Sequence, residues 1–387
     1  MTRLWRKGRA LCAALLLIVL LGGCWNSKDI QNLAYVTAIG FDYADGKFIS
    51  YVQVLNFTNV AKTEAASLGK SIPIWIGRGE GTTVSESFND IYATSQIRVF
   101  WGHVKAIVLT ENMMRQPDKM KEAYDMVNRY REIRYNVLLY GTKEPLRDLF
   151  TRKSILNLSP LDTLMYTPGQ IYTQRSFILP VYGYKVIAMF NEPSEPVMIP
   201  SLSSDMKGWS MDKEPRPMIR IDGAYFIKED QLAGWLGEQD LQGYRWLQKR
   251  LMRTPITVPD KQHPAAVLVM VKPQTRIRPL LEDGNVFFTI EVKIKAYVDE
   301  LIQDTSEKSL EEQAAEVIRR EIQDTYRKGL AIQTDVLQLD EVFYRDNPGM
   351  WKRLHEGQPF LLKEDSIRSI EVQVDLLHTG KYKGRIN

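Results

Sequence analysis

Apolar residues fall into short runs divided by polar turns, and their spacing switches between the two-residue period of a strand and the 3.6-residue period of a helix. Residues 35–41 are an apolar run. In 48–57, Phe48, Ser50, Val52 and Val54 alternate with Ile49, Tyr51, Gln53 and Leu55, which predicts a second strand. Asp45-Gly46, within 42–47, predicts a tight hairpin between them. Residues 60–71 are small and polar and predict a loop, and 72–77 predict a strand. Thr83-Val84-Ser85-Glu86 is a capping box opening a helix with Val84, Phe88, Ile91 and Tyr92 on one face. A strand over 104–109, a helix over 118–130 entered at Pro117, and a strand over 135–140 follow. Strands separated by helices predict a mixed α/β first domain with helices laid on a sheet.

Punctuation then thickens. Pro193, Pro196, Pro200, Pro215 and Pro217, with Ser201-Leu202-Ser203-Ser204, predict a boundary within 193–217. Residues 223–228 and 231–236 predict a hairpin turning at Glu229-Asp230, and 243–251 a helix. Pro255 and Pro259 mark a second boundary. Beyond it, 266–271 and 286–298 predict strands. Ser309-Leu310-Glu311-Glu312 is a second capping box, opening a long helix that buries Leu310, Ala314, Val317, Ile318, Ile322 and Tyr326. The helical pattern runs on toward Phe343, with a break expected at Gly329. Ile370, Val372, Val374 and Leu376 alternate with polar residues as a half-buried last strand. These boundaries divide the chain into 1–23, 24–200, 201–256 and 257–387.

The first segment has a different character. Arg3, Arg6, Lys7 and Arg9 precede an apolar stretch over 10–21, and Leu21-Gly22-Gly23-Cys24 closes it. Charged, then apolar, then small residues is the layout of a secretory signal, and the apolar part falls short of the ~20 residues that a membrane-spanning helix needs. A cysteine after the small pair makes a bacterial lipobox. Cleavage before Cys24 would leave an acylated first residue, the membrane anchor of an exported lipoprotein. Two acyl chains hold a protein stably where one is marginal.

Removing 1–23 changes the charge picture. That segment holds four of the 51 basic residues and none of the 47 acidic ones, so the remainder carries 47 of each. A neutral body predicts no bulk attraction to nucleic acid or to anionic lipid. Cys12 leaves with the signal and Cys24 carries lipid, so neither a disulfide nor a cysteine metal site is expected.

Candidate chemistry is sparse. Residues 64–71 end like a phosphate loop, but Glu64 stands where the first glycine belongs and would repel phosphate. Gly77-Arg78-Gly79-Glu80-Gly81 reads as a flexible strand-to-helix connection, with an anion cradle at a helix start as the lesser reading. His103, His263, His355 and His378 have no metal-ligand spacing, and His103 beside Trp101 reads as a packed histidine. Neither a Gly-x-Ser-x-Gly elbow nor a His-Glu-x-x-His helix occurs. No catalytic residue, metal or cofactor is expected.

Gly-Cys-Trp-Asn at 23–26, followed by Asp29-Ile30, Leu33, Val36, Gly40 and Asp42, resembles the opening of the Ger(x)C spore-germination lipoproteins, with Asn26 where that family usually has Asp. Three more stretches fit in order: 98–109 with Gly102-His103, 223–246 with Gly-Ala-Tyr-Phe and Gly-Tyr-Arg-Trp, and 343–351. The resemblance implies an α+β protein of three mixed α/β domains, the last with an antiparallel sheet and a long helix. It implies a non-enzymatic subunit of a nutrient germinant receptor, lipidated at Cys24, beside two integral-membrane subunits on the outer face of the spore inner membrane. It leaves open whether this subunit touches the small molecule. A solute-binding lipoprotein of a transporter shares the lipobox and is the alternative; a lipid-anchored hydrolase is disfavoured by the missing motifs.

Function then lies in contacts. Trp209, Trp235 and Trp246 are either core residues or interface anchors, since aromatics serve both. Ten residues, 25–34, would link lipid to first strand, a reach of about 33–36 Å. Trp25 would sit at headgroup level.

Overall fold

The computed structural model describes residues 33–55, 73–194, 196–356 and 362–377, together with Trp5. Cys24, most of the segment leading to the first strand, the 60–71 loop, the phosphate-loop-like stretch and His378 lie outside them.

In chain order the first part comprises β1 (Leu33–Ala44), β2 (Lys47–Leu55), β3 (Trp75–Gly81), α1 (Val84–Tyr92), β4 (Arg98–Phe100), β5 (Ala106–Thr110), α2 (Glu111–Met114), α3 (Pro117–Arg129), β6 (Leu138–Thr142), α4 (Leu146–Phe150), α5 (Pro168–Gln174), β7 (Val181–Tyr182), α6 (Gly183–Asn191) and β8 (Val197–Asp205). Then come β9 (Ser210–Met211), β10 (Glu214–Pro215), β11 (Met218–Lys228), β12 (Gln231–Gly237) and a 3-10 turn, Gln242–Leu247. The last part holds β13 (Thr254–Val258), β14 (Ala266–Glu282), β15 (Asn285–Leu301), α7 (Glu307–Ala331), α8 (Leu339–Asp346), α9 (Pro348–His355) and β16 (Ile367–Leu376).

Ten strands form one mixed sheet in the order β12-β11-β8-β6-β5-β1-β2-β3, with β4 on β1 and β7 on β6. Strands β1, β5, β6 and β8 run parallel, and antiparallel hairpins close both sides. β1 reads as an unbroken apolar run because both faces of the sheet are covered there. Phe88 of α1, Met120 and Val127 of α3 and Val186 of α6 pack on one face, and Leu146 and Phe150 of α4 with Met165 and Tyr166 on the other. Gln53 is a buried polar residue on that second face. It is tied down by Thr37 Oγ1 at 2.8 Å, by the Phe150 carbonyl at 2.6 Å and by the Tyr166 hydroxyl.

The segment 201–256, expected as a small middle unit, supplies β11 and β12 to this first sheet and the ribbon β9–β10 beyond its end. β8 crosses the expected boundary at 200/201, and β11 pairs with it along its whole length. Pro193, Pro196, Pro215 and Pro217 lie at or beyond strand ends, and Pro200 sits within β8 opposite Ala224 of β11, so none of them ends the sheet. The second sheet has the order β13-β14-β15-β16, begins at Thr254, and is antiparallel except for β16, which joins β15 in parallel. Over it lies α7, burying Leu310, Ala314, Ile318, Ile322 and Tyr326. The α+β class, with a long helix on a mainly antiparallel C-terminal sheet, is the one the sequence predicts.

Local corrections have physical causes. Gly77, Gly79 and Gly81 form an edge strand rather than a connection, because α1 lies directly on them: a Cβ on Gly79 would fall 2.1 Å from the Ser87 carbonyl oxygen. Thr83 caps α1 as expected, its Oγ1 accepting from Glu86 N at 3.1 Å, while the Glu86 carboxylate returns to Thr82 rather than Thr83. The cap of α7 is Ser306, whose Oγ accepts from Ser309 N at 3.3 Å, so the helix starts one turn before the predicted box. Residues 243–251 give a short 3-10 turn instead of a helix. Among the described residues, no helix is long and apolar enough to cross a membrane.

Candidate interaction surfaces

The described histidines stay apart. His103 packs edge-on to Tyr35 with centroids 5.0 Å apart, and desolvation, with Arg134 and Lys105 beside it, holds its pKa below the usual value. His263 is exposed. His355 stacks on Trp351 and places Nε2 3.1 Å from Asp340 Oδ2. Among the described residues, no three His, Cys, Asp or Glu side chains group as a metal site. A polar cavity of about 610 Å³ lies between α7 and β13, lined by Arg175, Glu238, Arg245, Arg320, Glu321 and Asp324. Its central charges satisfy one another: Glu238 is paired to Arg175 and Arg220, and Glu321 to Arg245. That leaves little uncompensated charge to recognise a ligand.

The Gly-Tyr-Arg-Trp stretch is the joint between the two parts of the chain. Gly243 lies so close to α7 that a Cβ there would meet the Glu321 carbonyl oxygen at 2.2 Å, and its amide donates to Thr325 Oγ1 at 2.9 Å. Trp246 is fully buried, and its indole N–H donates to Glu321 at 2.7 Å. Arg245 reaches the same carboxylate at 2.8 Å and Thr254 Oγ1 at 3.1 Å. One glutamate on a helix thus fixes two consecutive side chains of the 3-10 turn. Trp246 is a core residue.

Trp235 is half-buried on β12, its indole N–H donating to Ser201 Oγ at 2.8 Å and its ring covered by Lys143 Nζ at 3.7 Å. Trp209 differs from both. It is 54% exposed at the base of the β9–β10 ribbon, facing the 151–157 segment across a groove of about 370 Å³. Leu156, 81% exposed, lies in the same groove with Met211 and Met218, and Lys153 and Arg216 stand at its rim. Contiguous exposed apolar surface rimmed by polar groups marks an interaction site. This groove lies where the C-terminal ends of the parallel strands point.

The opposite end of those strands, where Leu33 enters, carries a second aromatic group. Arg98 of β4 pairs with Leu33, and Glu132 binds both Arg98 Nη2 at 2.8 Å and the Trp101 amide at 3.1 Å, fixing the 131–136 segment beside the start of β1. Tyr135 is 75% exposed and contacts the ring of Tyr184 at 5.9 Å, which in turn stacks on Tyr182. The apolar run predicts a strand from Tyr135, but β6 starts only at Leu138, which frees the tyrosine for the surface. The signal available was Tyr-Arg-Glu-Ile-Arg-Tyr at 130–135, aromatic and basic residues interleaved without a helical or strand period.

Comparisons with known proteins agree with this architecture. A family model described as the spore germination protein N-terminal domain matches residues 26–203, and one described as the spore germination B3/GerAC-like C-terminal region matches 221–380. Spore germination protein KC of Bacillus subtilis (strain 168) is 22% identical over 370 residues, covering 88% of each chain. Spore germination protein B3 of the same organism is 21% identical over 375 residues, covering 87% of this chain and 89% of its own. A crystal structure of the GerBC protein aligns with a TM-score of 0.56 at 18% identity, covering 90% of this chain and all of the other.

Proposed function

The chain belongs to the Ger(x)C family of spore germination proteins, and from that premise we propose that it is the lipid-anchored subunit of a nutrient germinant receptor. It works without enzymatic chemistry, through contacts with two integral-membrane subunits, on the outer face of the spore inner membrane. The observation that carries this reading is one of position. The N-terminal family match begins at residue 26, directly behind Cys24 of the lipobox, so the lipid site and the family body are contiguous. The exposed groove at Trp209 and Leu156 supports a function in protein contacts. A solute-binding lipoprotein calls for two alike lobes about a cleft; sheets of ten and four strands with different orders favour the receptor subunit.

Replacing the lipidated residue tests the proposal. Cys24→Ala is expected to leave an unlipidated precursor or a soluble product, and germination through this receptor is expected to fall. A variant that is still lipid-modified, or still cut after Gly23, shows the anchor assignment to be wrong. Tight direct binding of an amino acid or sugar by the mature protein, measured over a panel, would favour the transporter reading.

A further inference from the structure

We propose that the end of the first sheet where β1 begins is the face that rests on an anionic lipid bilayer. The proposal builds on the lipid-anchor reading of Cys24 and names the surface that the anchor presents to the membrane. Its residues are Lys105, Arg131, Arg134, Tyr135, Tyr182 and Tyr184.

Chain geometry comes first. The link between Cys24 and Leu33 spans nine Cα steps, about 32 Å when fully drawn out. The body therefore hangs from the lipid by the start of β1. Arg98 pairs with Leu33 and is held to Glu132, so the 131–136 segment is beside the point of suspension. Lys105 N bonds the Thr37 carbonyl and Lys105 O accepts from Leu138 N, which places Lys105 between β1 and β6 at the same end.

Charge is the second line. Arg98, Lys105, Arg131, Arg134 and Lys185 are all exposed here. Within 97–105, 130–136 and 181–185 the one acidic residue is Glu132, and it is committed to Arg98 and the Trp101 amide. Lys105, Arg131, Arg134 and Lys185 make no ion pair with a described residue. A body of zero formal net charge thus concentrates positive charge beside its own anchor. Basic clusters next to a membrane attachment are attracted to anionic headgroups.

The third line is the aromatic group. Tyr135, Tyr184 and Tyr182 form a contiguous exposed set with ring centroids 5.9 Å apart. Tyrosine is favoured at the bilayer interface, where its ring meets acyl chains and its hydroxyl meets water. The Trp209 groove lies at the other end of the parallel strands and stays available for a protein partner.

The test starts from the mature chain carrying Cys24→Ala, so that binding reads the face without the acyl chains. It is expected to sediment with vesicles containing about a quarter phosphatidylglycerol, to remain in solution with pure phosphatidylcholine, and to be released by high salt. Lys105→Gln/Arg131→Gln/Arg134→Gln should weaken retention roughly a hundredfold. Lys153→Gln/Lys207→Gln/Lys213→Gln, at the groove end, should leave it unchanged. Equal retention of the two triple variants, or no binding to anionic vesicles, overturns the proposal. So does a loss of co-purification with the membrane subunits in the first triple variant without any vesicle binding, which would make the face a protein interface. The lipidated chain gives orientation. A dye at Tyr135→Cys should be quenched by spin-labelled lipid and a dye at Trp209→Cys should not, and the reverse pattern overturns the face while leaving the anchor intact. A wild-type chain found without lipid would overturn the anchor reading, and the Cys24→Ala vesicle measurement would still decide the face.

Discussion

Asp335 is a carboxyl group with almost no water. It is buried, its Oδ2 accepts from the Asp340 amide at 2.7 Å, and its Oδ1 has no hydrogen-bond partner among the described residues. Its neighbour Asp340 is better served, by the Trp351 indole N–H at 2.9 Å and by His355. Desolvation pushes the Asp335 pKa up to about 7 from its ordinary 3.8; the amide bonds oppose this and the charges of Asp340 and Glu341 reinforce it. The folded protein therefore holds a proton there that the unfolded chain releases near pH 4. Between those values folding binds a proton, so this contribution is fully present below about pH 4 and is lost as pH rises through about 7. At ~1.4 kcal/mol per unit the ceiling is about 4 kcal/mol. Asp335→Asn removes the titration. The Tm of the parent minus that of the variant should fall between pH 5 and pH 8, and parallel Tm curves would show that Asp335 is ionised in the folded state.

Among the secondary elements, the contrast between two tryptophans can be measured. Trp246→Ala deletes a buried indole and leaves the Glu321 carboxylate short of a donor, so a loss of about 3–5 kcal/mol in urea unfolding is expected. Trp209→Ala should change stability by no more than about 0.5 kcal/mol while reducing co-purification of the membrane subunits. Normal assembly of the Trp209 variant would remove the groove from the list of contacts. The sequence told these two residues apart only weakly, because both lie within a few residues of a glycine, Gly208 and Gly243. What it displayed clearly were features set by adjacent residues. The hairpins at Asp45-Gly46 and Glu229-Asp230 carry the positive φ their turns require, and the long amphipathic helix and last strand fall where the periodicity puts them. What it hid were features set by distant ones. β14 runs on past Val271 to Glu282 although Pro273 and Pro279 interrupt it. Beyond Met270 its β13 side is unpaired, and an edge strand tolerates proline. Gly79 reads as flexible because Ser87, whose carbonyl leaves no room for a side chain there, lies eight residues on in the next helix. The aromatic end surface comes from the 131–136 segment, held beside β4, with β7 and the start of α6, which only the sheet brings together.

For the whole molecule, the proposed lipid anchor with its short link and the proposed basic aromatic face would be two restraints acting on one body. A single weak restraint gives marginal attachment, whereas two in series raise the local concentration of the second site. With Cys24 acylated as proposed, the link would hold the sheet end within about 32 Å of the lipid. A flexible Gly/Ser insert of about twenty residues after Asn26 would add a root-mean-square span of about 25 Å. The body could then leave the bilayer, with lipid site and fold untouched. If the face binds anionic lipid by itself, the lengthened protein should still return to the surface often, and germination should weaken only in part. Combining the insert with Lys105→Gln/Arg131→Gln/Arg134→Gln removes both restraints, and the double change should cost more than the product of the single ones. Germination rate of spores carrying each form, with receptor level held equal by immunoblot, reads the coupling directly. Full activity of the combined form would show that close docking has no part in signalling. Loss in the long-link form alone, with no further effect of the triple change, would assign the whole effect to proximity to the membrane-embedded partners.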